Sequence, residues 1–214
     1  MENLHHHRQS YEKNNLLESD VNPDPIVQFR AWFIEAQAHE QISEANAMSV
    51  ATLEEDGCPR IRTVLLKSYS ENGFVFFTNY DSRKGNSLEK YHFAGIQFFW
   101  PALERQVIIK ANVERIPENL SDGYFHERPR GSQLGALVSP QSSKIDSRKF
   151  LEERLKMLEQ EFAGKEIERP KNWGGYLAKP YEIEFWQGRP NRLHDRILYK
   201  LKNGLDWEIS RLAP

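Results

Sequence analysis

The chain of 214 residues has little cysteine, no long apolar run and almost no net charge. Its single cysteine, Cys58, excludes an intrachain disulfide and a cysteine-rich metal site. No run approaches the ~18 apolar residues of a membrane-spanning helix, and the polar N-terminus lacks the apolar segment of a signal peptide. A net charge of −2 without a continuous basic stripe disfavours nucleic acid as a partner. We therefore expect a cytoplasmic protein without a membrane or nucleic-acid partner.

Several common catalytic signatures are also missing. The chain contains no Gly-rich dinucleotide fingerprint, no Walker-type phosphate loop, no paired-histidine zinc helix and no Gly-x-Ser-x-Gly elbow. His5, His6 and His7 lie on a polar terminus, which is typical of a solvated tail. We therefore predict no metal site.

What is present indicates one folded domain. Hydrophobic residues make up 39% of the chain and include twelve Phe, eight Tyr and five Trp, which is enough apolar side chain for one core. Residues 1–23 are polar and without periodicity, which predicts a mobile N-terminal arm. Residues 24–214 are then expected to form a single domain.

The periodicity of that domain predicts a mainly β fold with helices. Asp24 and Pro25 form a helix start, and the following apolar residues repeat at helical spacing. Further helices are predicted over 82–90, 117–127 and 147–163, while alternating patterns and turn residues predict strands over 47–53, 60–69, 74–78, 95–100, 105–116, 175–178, 181–187, 196–201 and 205–210. We expect an antiparallel barrel of six to eight strands with helices packed around it.

Two groups of cations lie on the first half of this scaffold. Arg62 and Lys67 bracket an apolar strand, and their spacing of five residues predicts that they point to opposite faces. Thr78 precedes a helix start that carries Arg83 and Lys84. Free backbone N–H groups and the helix dipole favour an anion there, which indicates a phosphate cradle. The alternative is a charged first turn on the surface.

A third group is the run Tyr124-Phe-His-Glu-Arg128-Pro-Arg-Gly-Ser132. The spacing of four places Tyr124 and Arg128 on one predicted helix face, with Ser132 after the break. Three donors to phosphate oxygens can converge in this way, and Arg binds phosphate in bidentate geometry. The alternative is an ordinary amphipathic surface.

A fourth group follows Trp186 near the C-terminus. Alternation predicts that Arg192, His194 and Arg196 share a strand face. Such side chains repel one another unless an anion or an electron-rich ring lies between them, which indicates a ligand site. Trp186 could stack on a flat heterocycle there.

At these same residues the chain resembles the pyridoxamine 5′-phosphate oxidase family. The motifs that carry the resemblance occur in the family's order between Asp24 and Pro214: Arg-Thr-Val-Leu-Leu-Lys, Ser-Arg-Lys, Leu-Glu-Arg-Gln-Val, Tyr-Phe-His-Glu-Arg-Pro, Pro-Gln-Ser-Ser, Phe-Trp-Gln-Gly and Arg-Leu-His-Asp-Arg. The resemblance implies an FMN-binding split barrel that forms a homodimer with both active sites at the interface.

The resemblance also implies a role for individual residues. It assigns to the FMN site Arg62, Thr63, Val64, Leu65, Leu66, Lys67, Phe77, Thr78, Arg83, Lys84, Gln106, Gln141, Ser142, Trp186 and Arg196, several of them from the partner subunit. It assigns to the substrate Lys67, Tyr124, Arg128, Ser132, Arg192 and His194, of which the last two are the catalytic candidates. Phe77 departs from members that carry Tyr there, and Arg8 and Tyr11 correspond loosely to a lid.

The implied activity is oxidation of pyridoxamine 5′-phosphate and pyridoxine 5′-phosphate to pyridoxal 5′-phosphate, with dioxygen as electron acceptor and hydrogen peroxide as by-product. Two alternatives stay open at this point. A non-catalytic flavin or pyridoxal-phosphate binding protein would keep the cations but would not consume oxygen. Another split-barrel flavin reductase would give no reason for the cluster of Tyr124, Arg128 and Ser132.

Overall fold

A computed structural model describes residues 2–7, 9–204 and 206–214. Arg8, a candidate lid residue, lies outside these ranges. The helices are α1 (Pro25–Ala38), α2 (Arg83–Tyr91), α3 (Glu118–Glu127), α4 (Arg130–Val138) and α5 (Arg148–Glu161). The strands are β1 (Ala47–Leu53), β2 (Pro59–Leu65), β3 (Ser68–Ser70), β4 (Gly73–Asn79), β5 (Phe93–Trp100), β6 (Arg105–Arg115), β7 (Trp173–Gln187), β8 (Asp195–Lys202) and β9 (Asp206–Arg211).

All these strands belong to one antiparallel, curled sheet that is divided at β7. Its main order is β2-β1-β5-β6-β7-β4-β3, and β8 and β9 extend from β7 on a second path. The N-terminal half of β7 pairs with β4 and its C-terminal half pairs with β8. The predicted mainly β fold, an antiparallel split barrel with surrounding helices, is confirmed, but the expected six to eight strands were too few.

Three predictions about the secondary-structure elements were wrong: two concern strand boundaries and one concerns a missed helix. The two strands expected at 175–178 and 181–187 are one strand, because Pro180 lies opposite a register shift between Lys110 and Ala111 of β6, where a missing N–H is tolerated. The strand expected at 60–69 is divided between β2 and β3. Helix α4 was missed because Pro129 was interpreted as a breaker, whereas it caps the start of the helix.

The core lies between α1 and the sheet. Asp24 accepts hydrogen bonds from the N–H groups of Ile26 and Val27, which confirms the predicted cap. Phe29 is fully buried, and its ring centroid lies 4.9 Å from that of Phe74 and 5.0 Å from that of Phe98. Large aromatic side chains of this kind dominate the energy of a core, so α1 is fixed against the strands that carry the site.

The segment before α1 runs along the sheet. The N–H of Leu16, a buried residue, donates to Asp195 Oδ2 at 3.0 Å. Arg211 donates to the Leu16 carbonyl at 2.9 Å and to both carboxylate oxygens of Glu18 at 2.6 and 2.8 Å. The N–H of Lys13 donates to Glu104 Oε2 at 3.0 Å. The second half of the predicted arm is therefore connected to residues far along the chain.

Within the part of the chain that the structure describes, no helix combines the length and apolar character needed to cross a membrane. The described residues also bring no group of three or more His, Cys, Asp or Glu side chains together in a metal-binding arrangement.

Candidate functional site

Most of the predicted site residues line one cleft of about 840 Å³. It lies between β2, β4, the start of α2 and the junction of α3 with α4. The predicted residues that line it are Arg62, Thr63, Val64, Leu65, Lys67, Phe77, Thr78, Arg83, Lys84, Tyr124, Arg128, Ser132, Gln141 and Ser142. Sequence reasoning missed Arg60 and Trp173; the alternation of Arg60 with Arg62 along β2 was a signal for the first.

A buried ammonium group lies at one end of this cleft. Lys84 Nζ donates to Thr78 Oγ1 at 2.7 Å and to Gln141 Oε1 at 3.1 Å, and Ser82 Oγ lies 3.4 Å away. None of these partners is a carboxylate. Burial, together with the charge of Arg62, lowers the pKa of Lys84 to about 8. A cation in such surroundings is stabilised by a bound anion.

The start of α2 completes this end. Ser82, the predicted cap, accepts a hydrogen bond from the N–H of Gly85 at 3.2 Å. Arg83 points toward the cleft and lies 3.8 Å from Glu54. Two cations, Arg83 and Lys84, therefore line the cleft at a helix N-terminus, where the dipole favours phosphate.

Arg62 and Lys67 both line the cleft, so the prediction that they point to opposite faces was wrong. The strand β2 ends at Leu65, and the N–H of Lys67 pairs with the Val75 carbonyl of the neighbouring hairpin, so the simple alternation does not extend that far. Arg62 Nη1 donates to Thr52 Oγ1 at 2.8 Å, and burial lowers the pKa of Arg62.

A second group of donors lies at the other end of the cleft. Helix α3 ends at Glu127, so Tyr124 and Arg128 do not share a helix face as predicted; Arg128 instead occupies the bend before α4. This bend brings Tyr124, Arg128 and Ser132 to the same cleft. Arg128 Nη1 is buried without a hydrogen-bond partner among the described residues, and burial lowers the pKa of Arg128.

Three nearly parallel aromatic rings support this group. The Phe77 ring lies 4.1 Å from that of Tyr124 and 5.4 Å from that of Trp173, between ring centroids. The guanidinium carbon of Arg128 lies 4.6 Å from the centroid of Trp173. Lys67 Nζ lies 6.0 Å from the centroid of Tyr124. Phe77 thus contributes its ring to packing within this group.

Six predicted site residues do not line this cleft: Leu66, Gln106, Trp186, Arg192, His194 and Arg196. Leu66 is buried and borders a separate cavity beside Phe33 and Tyr69. Gln106, Trp186 and Arg196 instead form a row across β6, β7 and β8, because Trp186 is directly opposite Gln106 on one side and Arg196 on the other. We call these three residues the strand row.

Arg192 and His194 lie beside the strand row but not on a strand, so the predicted shared strand face was wrong. Arg192 ends a short turn, Pro190–Arg192, with a φ of 61°, and β8 begins only at Asp195. The His194 ring lies 4.6 Å from that of Trp186. Burial and the charge of Arg192 lower the pKa of His194.

The tautomer of His194 follows from its hydrogen bond. The backbone N–H of Arg189 donates to His194 Nδ1 at 3.0 Å, so a neutral ring carries its proton on Nε2. Tyr11 covers this region, with its ring 5.8 Å from Trp186 and 6.0 Å from His194. The predicted site residues thus lie in two separate places: the cleft lined by cations, and the strand row with its neighbours.

Comparison with known proteins gives the same family along the whole chain. A family model described as pyridoxamine 5′-phosphate oxidase matches residues 34–160, and one described as the pyridoxine 5′-phosphate oxidase C-terminal dimerisation region matches residues 173–214. A Flavobacterium psychrophilum protein named pyridoxine/pyridoxamine 5′-phosphate oxidase is 56% identical over 214 residues, which cover 100% of both chains.

Solved structures share the fold. PhzG from Burkholderia lata 383, crystallised with tetrahydrophenazine-1-carboxylic acid, has a TM-score of 0.86 and 27% identity, with 94% of this chain and 98% of that chain covered. A Nostoc punctiforme protein described as pyridoxamine 5′-phosphate oxidase-related and FMN binding has a TM-score of 0.69 and 18% identity, covering 87% and 97%. At this identity the second similarity concerns the fold alone.

Proposed function

Because the chain belongs to the pyridoxamine 5′-phosphate oxidase family, it is an FMN-dependent oxidase of phosphorylated B6 vitamers, and we propose that the cleft and the strand row supply its active site. The products are pyridoxal 5′-phosphate and, with dioxygen as the proposed electron acceptor, hydrogen peroxide. We also propose a reducing, cytoplasmic location, which the exposed free thiol of Cys58 supports.

One observation carries the assignment of the cleft. It holds three desolvated cations, Lys84, Arg62 and Arg128, and none of them forms an ion pair with a carboxylate among the described residues. Buried charges in proteins are normally paired. Lys84 and Arg62 act at one end of the cleft and Arg128 lies at the other, so the two ends fit two anionic ligands. The reaction requires two: the phosphate of FMN and the phosphate of the substrate.

The residues around Lys84 fit the terminal phosphate of FMN. Lys84, Arg62 and Arg83 supply positive charge, and Thr78 with the first turn of α2 supplies hydrogen-bond donors. Gln141 would exchange its contact with Lys84 for one with the cofactor. The substrate phosphate then belongs to the other end of the cleft, with Lys67, Tyr124, Arg128 and Ser132.

The strand row belongs to the same active site through a dimer. Trp186, Arg192, His194 and Arg196 all fall within residues 173–214, and the match of this region to a dimerisation region supports a homodimer. Ile61, Phe99 and Leu193 are more than half exposed in the single chain, which supports a surface that a second copy covers. We propose that each strand row completes the cleft of the other subunit.

The chemistry divides between cofactor and protein. FMN supplies the capacity to accept a hydride equivalent from the carbon attached to the pyridine 4-position. Trp186 offers a flat face for a ring, and Arg192 offers a fixed positive charge for orienting the substrate and stabilising developing negative charge. His194 holds its proton on Nε2 and can donate it to a pyridine substituent. Positioning alone can lower a barrier by ~7–11 kcal/mol, so no strong base is required.

Oxygen consumption tests the proposed activity. We expect the purified protein, after FMN addition, to consume oxygen with pyridoxamine 5′-phosphate and to release hydrogen peroxide and pyridoxal 5′-phosphate. A non-catalytic flavin or pyridoxal-phosphate binder would retain FMN without consuming oxygen. A flavin reductase would consume oxygen only with a nicotinamide donor. Either result would refute the oxidase assignment.

FMN affinity should depend on pH through Lys84. Burial lowers the pKa of Lys84 to about 8, and a phosphate dianion raises it by stabilising the ammonium form. Below pH 8 Lys84 is already charged, whereas above it FMN binding must take up a proton, so Kd should rise by up to about tenfold per pH unit. Quenching of FMN fluorescence between about pH 7 and about pH 9.5 measures this. Lys84→Arg should remove the dependence, and a flat profile for the parent would contradict the assignment.

FMN affinity should also depend on protein concentration. Since Trp186 and Arg196 are assigned to the partner's flavin, dilution to monomer should weaken FMN binding by mass action. Sedimentation and flavin fluorescence on the same dilution series measure the two quantities together. Phe99→Glu, which places a charge on the exposed apolar surface, should shift both transitions to higher concentration. Full FMN binding by a verified monomer would rule out the shared site.

A further inference from the structure

Trp173 supports the cation that the proposed function assigns to the substrate phosphate. Its ring is nearly buried, and the guanidinium carbon of Arg128 lies 4.6 Å from its centroid. The ring of Phe125 lies on the same cation at 5.8 Å. A guanidinium at such a distance from an aromatic face is attracted by the ring quadrupole, and more strongly where water is excluded.

The face of the Trp173 ring takes the place of the carboxylate that commonly pairs with a buried arginine. Among the described residues no carboxylate forms an ion pair with Arg128, and its Nη1 is buried without a hydrogen-bond acceptor. A carboxylate would hold the guanidinium but would also neutralise it. An aromatic face holds it in place and leaves its N–H groups free, because it occupies the flat side and not the edge.

Hydrogen bonds of Arg169 hold the backbone of Trp173 in place. Arg169 donates to the Trp173 carbonyl at 2.7 Å and to Asp122 of α3 at 2.5 Å, so it connects the start of β7 to the helix that leads to Arg128. The next residue, Gly174, permits this close approach to α3, since a Cβ there would lie 2.9 Å from Ser121 Oγ. The backbone that carries the ring is therefore held close to α3.

We propose that Trp173 is a positioning residue for substrate recognition: its ring holds Arg128 in the orientation that binds the phosphate, and so contributes to the preference for phosphorylated over unphosphorylated B6 vitamers. The inference rests on the proposed function, because it takes the phosphate site at Arg128 as given. Trp173 need not touch the substrate in this role.

The test compares two non-reacting ligands, 4-deoxypyridoxine 5′-phosphate and 4-deoxypyridoxine, by calorimetric titration of the FMN-loaded dimer. Trp173→Leu should weaken binding of the phosphorylated ligand by about 3- to 30-fold and change binding of the other by less than about twofold. Trp173→Phe, which keeps a ring, should lose less. In an Arg128→Ala background Trp173→Leu should have no more than about a twofold effect, since the pair acts as a unit.

Trp32→Leu is the matched control. It removes the ring that lies 4.5 Å from the guanidinium carbon of Arg105, a ring–guanidinium pair outside the cleft whose cation is also paired with Glu35, and should not change the ratio of the two affinities. If Arg128→Ala keeps the full preference for the phosphorylated ligand, the phosphate site itself is wrong. If Arg128→Ala loses the preference but both Trp173 variants keep it, or weaken both ligands alike, the positioning role is wrong. Should Trp173→Leu fail to fold, Trp173→Phe decides.

Discussion

Arg192→Ala is expected to lower kcat by about 10²- to 10³-fold and kcat/KM by a similar factor. Arg192 is assigned to the reacting ring, where its charge stabilises negative charge that develops only in the transition state. An interaction of that kind contributes to kcat and not to ground-state binding. Steady-state oxygen consumption with pyridoxamine 5′-phosphate measures the effect.

Two variants separate this role from a structural one. Arg192 has a positive φ, and alanine carries the same steric cost there as arginine, so the substitution adds no backbone strain. Arg192→Lys keeps the charge and should recover part of kcat. Lys200→Ala, at an exposed position on β8, should leave kcat unchanged. A raised KM with normal kcat in Arg192→Ala would place this residue in ground-state binding instead.

Arg128→Ala is expected to lower kcat/KM by roughly 10- to 150-fold, mainly by raising KM, because a hydrogen bond to a charged group contributes ~1.5–3 kcal/mol. The phosphate lies remote from the reacting carbon and binds similarly in ground and transition states. Unphosphorylated pyridoxamine should be a poor substrate for the parent, and Arg128→Ala should discriminate less between the two amines. Steady-state kinetics on both amines provide the measurement.

The control for Arg128 is its neighbour Arg130. Arg130→Ala removes the same charge two residues away, but Arg130 points outside the cleft and donates to the carbonyls of Phe162 and Lys165. It should leave the preference between the two amines intact. Retention of the full preference by Arg128→Ala would show that the substrate phosphate binds elsewhere.

The sequence was most informative about features that depend on residues close together in the chain. The cap at Asp24 and the helix start at Ser82 are determined by neighbours within a few residues, and both are present as predicted. The helix start also drew attention to Lys84, which lines the cleft, since a cation at a helix N-terminus contradicts the dipole unless an anion is bound. Local conflicts of this kind can be recognised in sequence.

Features set by distant residues could not be predicted in this way. Lys67 faces the cleft because of its pairing with the β4 hairpin, and the role of Trp173 depends on a guanidinium 45 positions earlier in the chain. Pro180 appeared to end a strand because the register shift that accommodates it lies on β6. Periodicity describes one segment at a time, whereas each of these features belongs to a pair of segments.

The contacts of the N-terminal segment also limit when this segment can fold during translation. Lys13, Leu16 and Glu18 bond to residues 104, 195 and 211, so their partners leave the ribosome long after they do. Contacts of such large sequence separation carry a loop-closure cost and slow folding. On a growing polypeptide Tyr11 cannot reach its place beside Trp186 and His194 until both have been synthesised, so Tyr11 cannot cover this region during most of translation.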